Sequence, residues 1–436
     1  MKPKSFTERG QALVIFALAA IGIFGIVALA IDGSAKLSDR RHAQNAADTA
    51  ALAGALALGS ENAYWKIDAL NRAGDNGYSD DLVSSNVEVY RCDEGGSSCG
   101  TYAGSSQYVQ VIITSYVNTS FARVIGINQT INTVQAVALA KKAGPIFEGS
   151  SLVALNPNSG CPGSFLVGGD STITLNGGGM LVNSDESDCA FEQQGCSMNL
   201  VINGGSIVST GDENVDFDGC YAGSSPPVTY NEDVTVFPTD IEMPDVPPEC
   251  TSPLGSYSSN DFTQTTTLNP GLWDVNEFPP KSGGGITVYD NMVMNPGVYC
   301  MNDLIKLNDQ HLTLTGTGVT LYIRNGHGFK FEGGTINLTA PETGDYAGYL
   351  IIVETDFMGA PEECKIDGNP VNTYGGTIFA PYCALTINGS STATTPTNYS
   401  TQIIAYELKL NGTSDITFTY DPDKSAKSRR KVGLMK

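Results

Sequence analysis

Apolar positions follow different rules in successive stretches of the chain. Over 11–31 they are continuous, and from Ala12 twenty residues pass without a charge. A helix of that length at ~1.5 Å per residue crosses ~30 Å of hydrocarbon, so the run predicts a transmembrane helix over 10–31. The Ala-rich stretch 40–58 extends it, because Ala46, Ala47, Ala50, Ala51, Leu52, Ala55 and Leu56 form an apolar face at spacings of three and four. The expected helix therefore covers 11–58. A second, short helix fits 62–73 and stops at Gly74 and the Asn76-Gly77 turn signal. The period then changes to two. Alternation over 86–91 and 107–117 predicts strands, a short helix follows Thr119 and ends at Gly126, and a strand over 130–140 closes a small α+β module spanning 32–143.

The leading alternative for the apolar run is a cleaved signal peptide, since Ala28-Leu29-Ala30 has the small-x-small form of a peptidase site. A run of twenty exceeds the roughly 7 to 15 apolar residues of such peptides, and the helical pattern continues past Ala30, so a retained anchor is expected.

Beyond Gly144 a short phrase recurs: an apolar-x-apolar triplet ended by Asn, Asp or Glu, usually followed by Gly. It occurs at Ile173-Thr174-Leu175-Asn176-Gly177, Leu200 to Gly204, Ile305 to Asn308, Phe329 to Gly333, Lys365 to Gly368, Leu385 to Gly389 and Leu408 to Gly412. Successive turn residues are 27, 24, 21 and 23 apart at 176/203, 308/332, 367/388 and 388/411. Each phrase reads as a short strand ended by a residue that tolerates positive φ. Recurrence on that scale suggests a repeat in which each turn of chain buries its apolar face on the next. A mainly β protein with a parallel, right-handed β-helix or solenoid over 144–421 is therefore expected, with 320–324, 349–353, 376–379 and 402–406 supplying other faces of the coils. The competing fold is a β-sandwich of Asn-Gly hairpins, whose strands recur at only ~8 to 12 residues. Ten of the 21 prolines lie within 225–280, so 225–281 is expected to be an excursion off the repeat.

Charge separates the ends from the body. Six Lys/Arg lie in the first 41 residues and six in the last 13, whereas 42–423 carries 43 acidic against twelve basic residues. An acidic body repels phosphate backbones, which excludes nucleic acid as its partner, and the basic tail 422–436 is expected to be a solvated end. Positive residues flank the apolar run equally, Lys2, Lys4 and Arg9 against Lys36, Arg40 and Arg41, so charge does not orient it. The nine-residue N-terminal flank is read as cytoplasmic. All ten cysteines follow the run, an even count typical of an oxidising compartment, which places the bulk outside the cytoplasm.

Two cysteine pairs, Cys92 with Cys99 and Cys189 with Cys196, are close enough in sequence to close local loops. Cys161, Cys220, Cys250, Cys300, Cys364 and Cys383 have fifteen possible connectivities. No Cys-x-x-Cys pair suggests zinc. The richest oxygen cluster holds Asn214, Asp216 and Asp218, a weak calcium candidate because position twelve from Asn214 is Ser225 where a calcium loop has Glu. With three histidines, His42, His311 and His327, and no carboxylates repeating in register, no catalytic residue and no cofactor is expected.

The string Arg9-Gly10-Gln11-Ala12-Leu13-Val14, then Asp32, then Arg41-His42-Ala43-Gln44-Asn45-Ala46-Ala47-Asp48-Thr49-Ala50-Ala51, resembles the N-terminal region of TadE/TadG-type proteins of the Flp (Tad) pilus-assembly system. Phe121-Ala122-Arg123-Val124-Ile125-Gly126, followed by Val134-Gln135-Ala136-Val137-Ala138, is similar to the end of the same module. The resemblance covers about residues 8–140. It implies a single-pass component of the bacterial cytoplasmic membrane, non-enzymatic, with pilus or secretion-apparatus proteins as partners. A prepilin-type cleavage site would carry Glu at the fifth position after Gly10, where this chain has Ile15. The departure implies retention in the membrane. The Asp-x-Ser-x-Ser metal motif of longer members does not occur. More weakly, 315–420 resembles outer domains of some pilus-associated envelope proteins. The expected role is assembly or anchoring of such a pilus. The alternatives are a surface adhesin or glycan-binding β-helix and, more distantly, a polysaccharide-degrading enzyme.

Overall fold

The computed structural model describes residues 11–142, 144–147, 149–157, 163–170, 172–184, 190–195, 199–210, 215–217, 227–230, 243–251, 265–273, 285–288, 290–354, 362–367, 371–389, 397–412, 415–428 and 431–435. The chain divides into two compact units, Met1–Gly144 with Arg429–Lys436, and Pro145–Ser428.

In the first unit one helix, α1 (Gln11–Gly59), takes in both the apolar run and the Ala-rich stretch without interruption. It is followed by α2 (Trp65–Asp75), β1 (Ser85–Arg91), β2 (Tyr108–Asn118) and β3 (Gln129–Lys141), each within three residues of the boundaries read from periodicity. The predicted short helix is a 3-10 turn, Ala122–Ile125, closed by Gly126 at φ 89°. The strands are antiparallel, and alternate residues of the sheet (Val109, Val111, Ile113, Val134, Ala136, Ala138) join the alanines of α1 in one core. Contrary to expectation, the tail is not a solvated end. Its Lys431–Met435 forms the fourth strand, antiparallel to β3, with Val432 opposite Ala140 and partly buried on the same core. Flanking charges hide this strand in the sequence, since it is only five residues long.

The second unit obeys a different rule. Its 24 described strands pair in parallel, each mostly with strands three places away in the chain, which gives three continuous ladders. The recurrent phrases stack in register: Leu307 opposite Phe331, Lys330 opposite Lys365, Asp367 opposite Asn388, and Asn388 opposite Asn411. The first two phrases pair on a separate ladder, Asn176 opposite Asn203. The stretches at 320–324, 349–353, 376–379 and 402–406 likewise make one ladder, through Leu321, Ile351, Ile378 and Ile403. Hairpin pairing of a sandwich is thus not seen among the described strands of this unit.

Burial explains the two sequence patterns. Strands such as Thr335–Thr339 alternate buried and half-buried residues, one face inward and one to solvent. Strands of the Leu321/Ile351 ladder, such as Val319–Ile323 and Tyr349–Val353, are buried throughout and read as unbroken apolar runs. Their inner residues line a core that includes Leu321, Ile351, Ile378 and Ile403, and their outer ones, Tyr322, Ile352, Phe379 and Ile404, form a second cluster with Cys250, Met243, Ile146 and Ala426.

The order of the ladders is not the order of the chain. The first strand, Ser150–Ala154, pairs with Ile403–Ala405 late in sequence, and Thr172–Asn176 pairs with Ile416–Thr419. From that seam the N-terminal strands run to one end at Val228–Tyr230, while Thr265–Leu268 and Gly271–Trp273 begin the other end. Along the doubly buried ladder these ends are nine pairings apart, ~43 Å at ~4.8 Å each. The 34 residues from 231 to 264 bridge that distance; their extended reach is ~110 Å.

The Pro-rich stretch 225–281 is accordingly narrower as an excursion than expected. It contributes three strands to the ladders, because Pro227 and Pro270 stand at strand ends, where no amide donor is needed. Its described middle, 243–251, lies over the doubly buried ladder. The Tyr322 hydroxyl donates to the Pro244 carbonyl (3.4 Å), the Tyr346 hydroxyl donates to the Asp245 carbonyl (2.6 Å), and Cys250 is bonded to Cys300.

Candidate functional site

Polar side chains that tie separate elements together gather where α1 leaves its apolar run. From Leu13 the helix is long and apolar enough to cross a membrane, and none of that window is buried within the protein. Leu13, Phe16, Leu18, Phe24 and Leu29 all point outward, an arrangement that is unfavourable in water and favourable in lipid.

Asp32 is the first ionisable residue after the run. Its carboxylate accepts the backbone N–H groups of Ser120 (2.8 Å), Phe121 (3.1 Å) and Ala122 (2.7 Å), which satisfies the free donors at the start of the 3-10 turn. The Ser120 bond in particular holds the Asp32 carboxyl below its ordinary value of 3.8.

One heptad further on, Asp39 gathers three more donors. Tyr78 Oη donates at 3.0 Å, Asn132 Nδ2 at 2.7 Å, and the Ser115 hydroxyl also donates to it. Asn132 in addition donates to the Lys36 carbonyl at 2.9 Å, so β2, β3 and the turn after α2 all converge on one turn of α1. Burial and this hydrogen bond push the Tyr78 phenol well above its usual range.

Past Asp39 the contact becomes apolar. Ala43, Ala46, Ala47, Ala50, Ala51 and Ala55 are fully buried, so the motif-like alanines are the face that seats α1 on the sheet. Gly54 sets the closest approach: a Cβ there would lie 3.0 Å from the Ala69 Cβ and 3.2 Å from Val109 Cγ1. Beside this face Gln44 Nε2 donates to the Gln135 carbonyl (3.0 Å) and to Asp48 (2.8 Å). Gln135 in turn accepts from the buried Gln110, over which the Cys92–Cys99 loop folds through the Ser98 N–H at 2.8 Å.

Of the residues singled out from sequence, Cys92 and Cys99 are bonded to each other as expected. Cys189, Cys196, Asn214 and Asp218 lie outside the described residues. Asp216 lies in the strand Val215–Phe217, opposite Glu192, so this part of the calcium candidate is strand instead of ligand loop. Cys250 pairs with Cys300 and Cys364 with Cys383, two connectivities that spacing left open. His42 packs against Tyr78, and His327 Nδ1 lies 3.9 Å from Asp303. On the ladder of recurrent phrases, lysines meet carboxylates across neighbouring strands, Lys330 with Glu363 (2.6 Å) and Lys365 with Glu332 (2.9 Å). Asp39 with its three donors escaped the sequence reading. Its one signal is the seven-residue interval from Asp32, two helical turns along the same side of α1.

Curated proteins and solved structures give no match to the chain. Residues 10–57, which make up α1 almost to its end, match the model of a family of Flp pilus-assembly, TadE/G-like proteins.

Proposed function

We propose that this protein is a non-enzymatic, single-pass component of the bacterial cytoplasmic membrane that acts in assembly or anchoring of a Flp/Tad-type pilus. The observation that carries the reading is the coincidence of the family match with the built site. Residues 10–57 comprise the outward-facing apolar run, the Asp32 and Asp39 clamps and the alanine face that seats the helix. The α+β unit is then the membrane-proximal dock for pilus or secretion-apparatus proteins. Disulfides at Cys92–Cys99, Cys250–Cys300 and Cys364–Cys383 favour placing both units outside the cytoplasm.

For the second unit we infer a right-handed parallel β-helix. The three in-register ladders and an interior lined by Phe329, Ile336, Ile351 and Ile378 support that architecture. The unit's sequence is acidic, and the outward positions of alternating strands such as Thr335–Thr339 are polar, which favours, as the second reading, a surface adhesin or a glycan-binding β-helix. No nucleic acid partner, cofactor or metal enters either reading.

Removing the gene and scoring pili and surface attachment separately tests the assignment. Loss of pili is expected. Normal piliation with weakened attachment would replace assembly by adhesion.

A further inference from the structure

The β2–β3 connection carries apolar side chains that nothing in its unit covers. Phe121, Val124, Ile125 and Ile127 are exposed, Val124 by 85% and Ile125 by 78%, within seven residues that also hold the exposed Arg123. Such a patch is costly in water and marks a contact surface.

Its position says which contact. Asn132 meets α1 at Lys36 and Asp39, and Gln135 meets it at Gln44, so β3 ascends with the helix and its beginning faces the apolar run. The connection before β3 is then tied by three N–H bonds to Asp32, the residue at which that run ends. A carboxylate resists entry into hydrocarbon, so the membrane boundary falls at or just before Asp32. The apolar tip therefore lies at the level of that boundary, with the exposed Arg123 inside it and the exposed Lys36 one helical turn past Asp32 to meet anionic headgroups.

We propose that the turn 121–127 is a second membrane contact, an apolar tip immersed in the interfacial layer of the leaflet from which α1 emerges. It rests on the reading of α1 as a retained anchor. Two points of contact, a spanning helix and a tip clamped to it, would fix the tilt and rotation of the α+β unit on the bilayer, which a single helix leaves free.

Tryptophan depth measurements in phosphatidylcholine/phosphatidylglycerol vesicles test this, with bromine placed at different depths of the acyl chain. The native Trp65 and Trp273 are buried in the protein and give the baseline. Leu18→Trp reports the anchor, Ile125→Trp the tip. Tyr64→Trp reports an exposed position just past Gly59, the far end of α1, which is ~40 Å along the helix from Asp32. Leu18→Trp is expected to be quenched best by deep bromines, and Ile125→Trp best by shallow ones, by about twofold or more over Tyr64→Trp for a tip lying in the interface. Quenching of Leu18→Trp with none at Ile125→Trp would overturn the tip and leave the anchor standing. No quenching at Leu18→Trp would overturn the anchor reading, and the tip with it.

Discussion

Alanine holds the first unit together, through Ala43, Ala46, Ala47, Ala50 and Ala55 set against Val109, Val111 and Ile113, while the second is filled by Trp273, Tyr299, Phe329, Tyr374, Tyr399 and Phe418. Small side chains let the helix axis come close to the sheet but bring little apolar area, so position has to be specified by other means. Asp32 and Asp39 supply it, each collecting three donors at chosen heights along α1. In the second unit, large side chains stacked at strand spacing provide both area and register, as in the Tyr374, Tyr399 and Phe418 column with centroids 5.4 and 5.0 Å apart. Loss of a bulky group should therefore cost most in the second unit, and loss of a polar group should cost most in the first.

The largest effect is expected at Phe418. It sits at the seam, opposite both Tyr399 and Leu175, where late strands meet early ones. Phe418→Ala should destabilise the second unit by ~3–5 kcal/mol, read as a lower denaturant midpoint, while the first unit keeps its own transition. Next comes the bridge that holds 243–251 over the ladder. Replacing Cys250 and Cys300 together by Ser should cost ~2–4 kcal/mol and open that segment to proteolysis before the ladders unfold.

In the first unit, Asp39→Ala strands the Tyr78, Ser115 and Asn132 donors and should cost ~1–3 kcal/mol, more than removing a surface acid such as Asp75. The smallest effect belongs to Asp32 and is a matter of pH. Because its folded-state carboxyl titrates below the ordinary 3.8, its contribution is fully present above that value and disappears as pH falls through the lower folded one. Amide protection at Ser120 and Ala122 should fall over that acid range, and Asp32→Asn should abolish the pH dependence. Equal sensitivity of the two units to Phe418→Ala and Asp39→Ala would remove the contrast altogether.

Much of this was legible from local pattern. Periodicity placed α1, α2 and β1 to β3, and the recurrent phrases proved to be strands that stack on their own kind. What escaped has no local signature. Pairing of Ile416–Thr419 with Thr172–Asn176 joins residues about 240 apart, and nothing in either strand names its partner. Lys431–Met435 is too short and too close to basic residues to read as an edge strand. Prolines suggested a break across 225–281, yet at strand ends they are compatible with pairing, which only the neighbouring strands reveal. Nothing local marks Asp39, since its worth depends on Tyr78, Ser115 and Asn132 arriving from three other segments.

The strand Lys431–Met435 returns the chain to the α+β unit, so that the second unit is an insertion in it, and the proposed anchor α1 makes this unit a membrane-held module. Alkaline extraction of membranes followed by proteolysis, applied to a chain with 145–428 replaced by a short linker, tests it most directly. A membrane-retained, protease-resistant product is expected, and it should become labile when 429–436 is also removed. Release of the linker-joined product into the soluble fraction, or equal lability with and without the last strand, would contradict it.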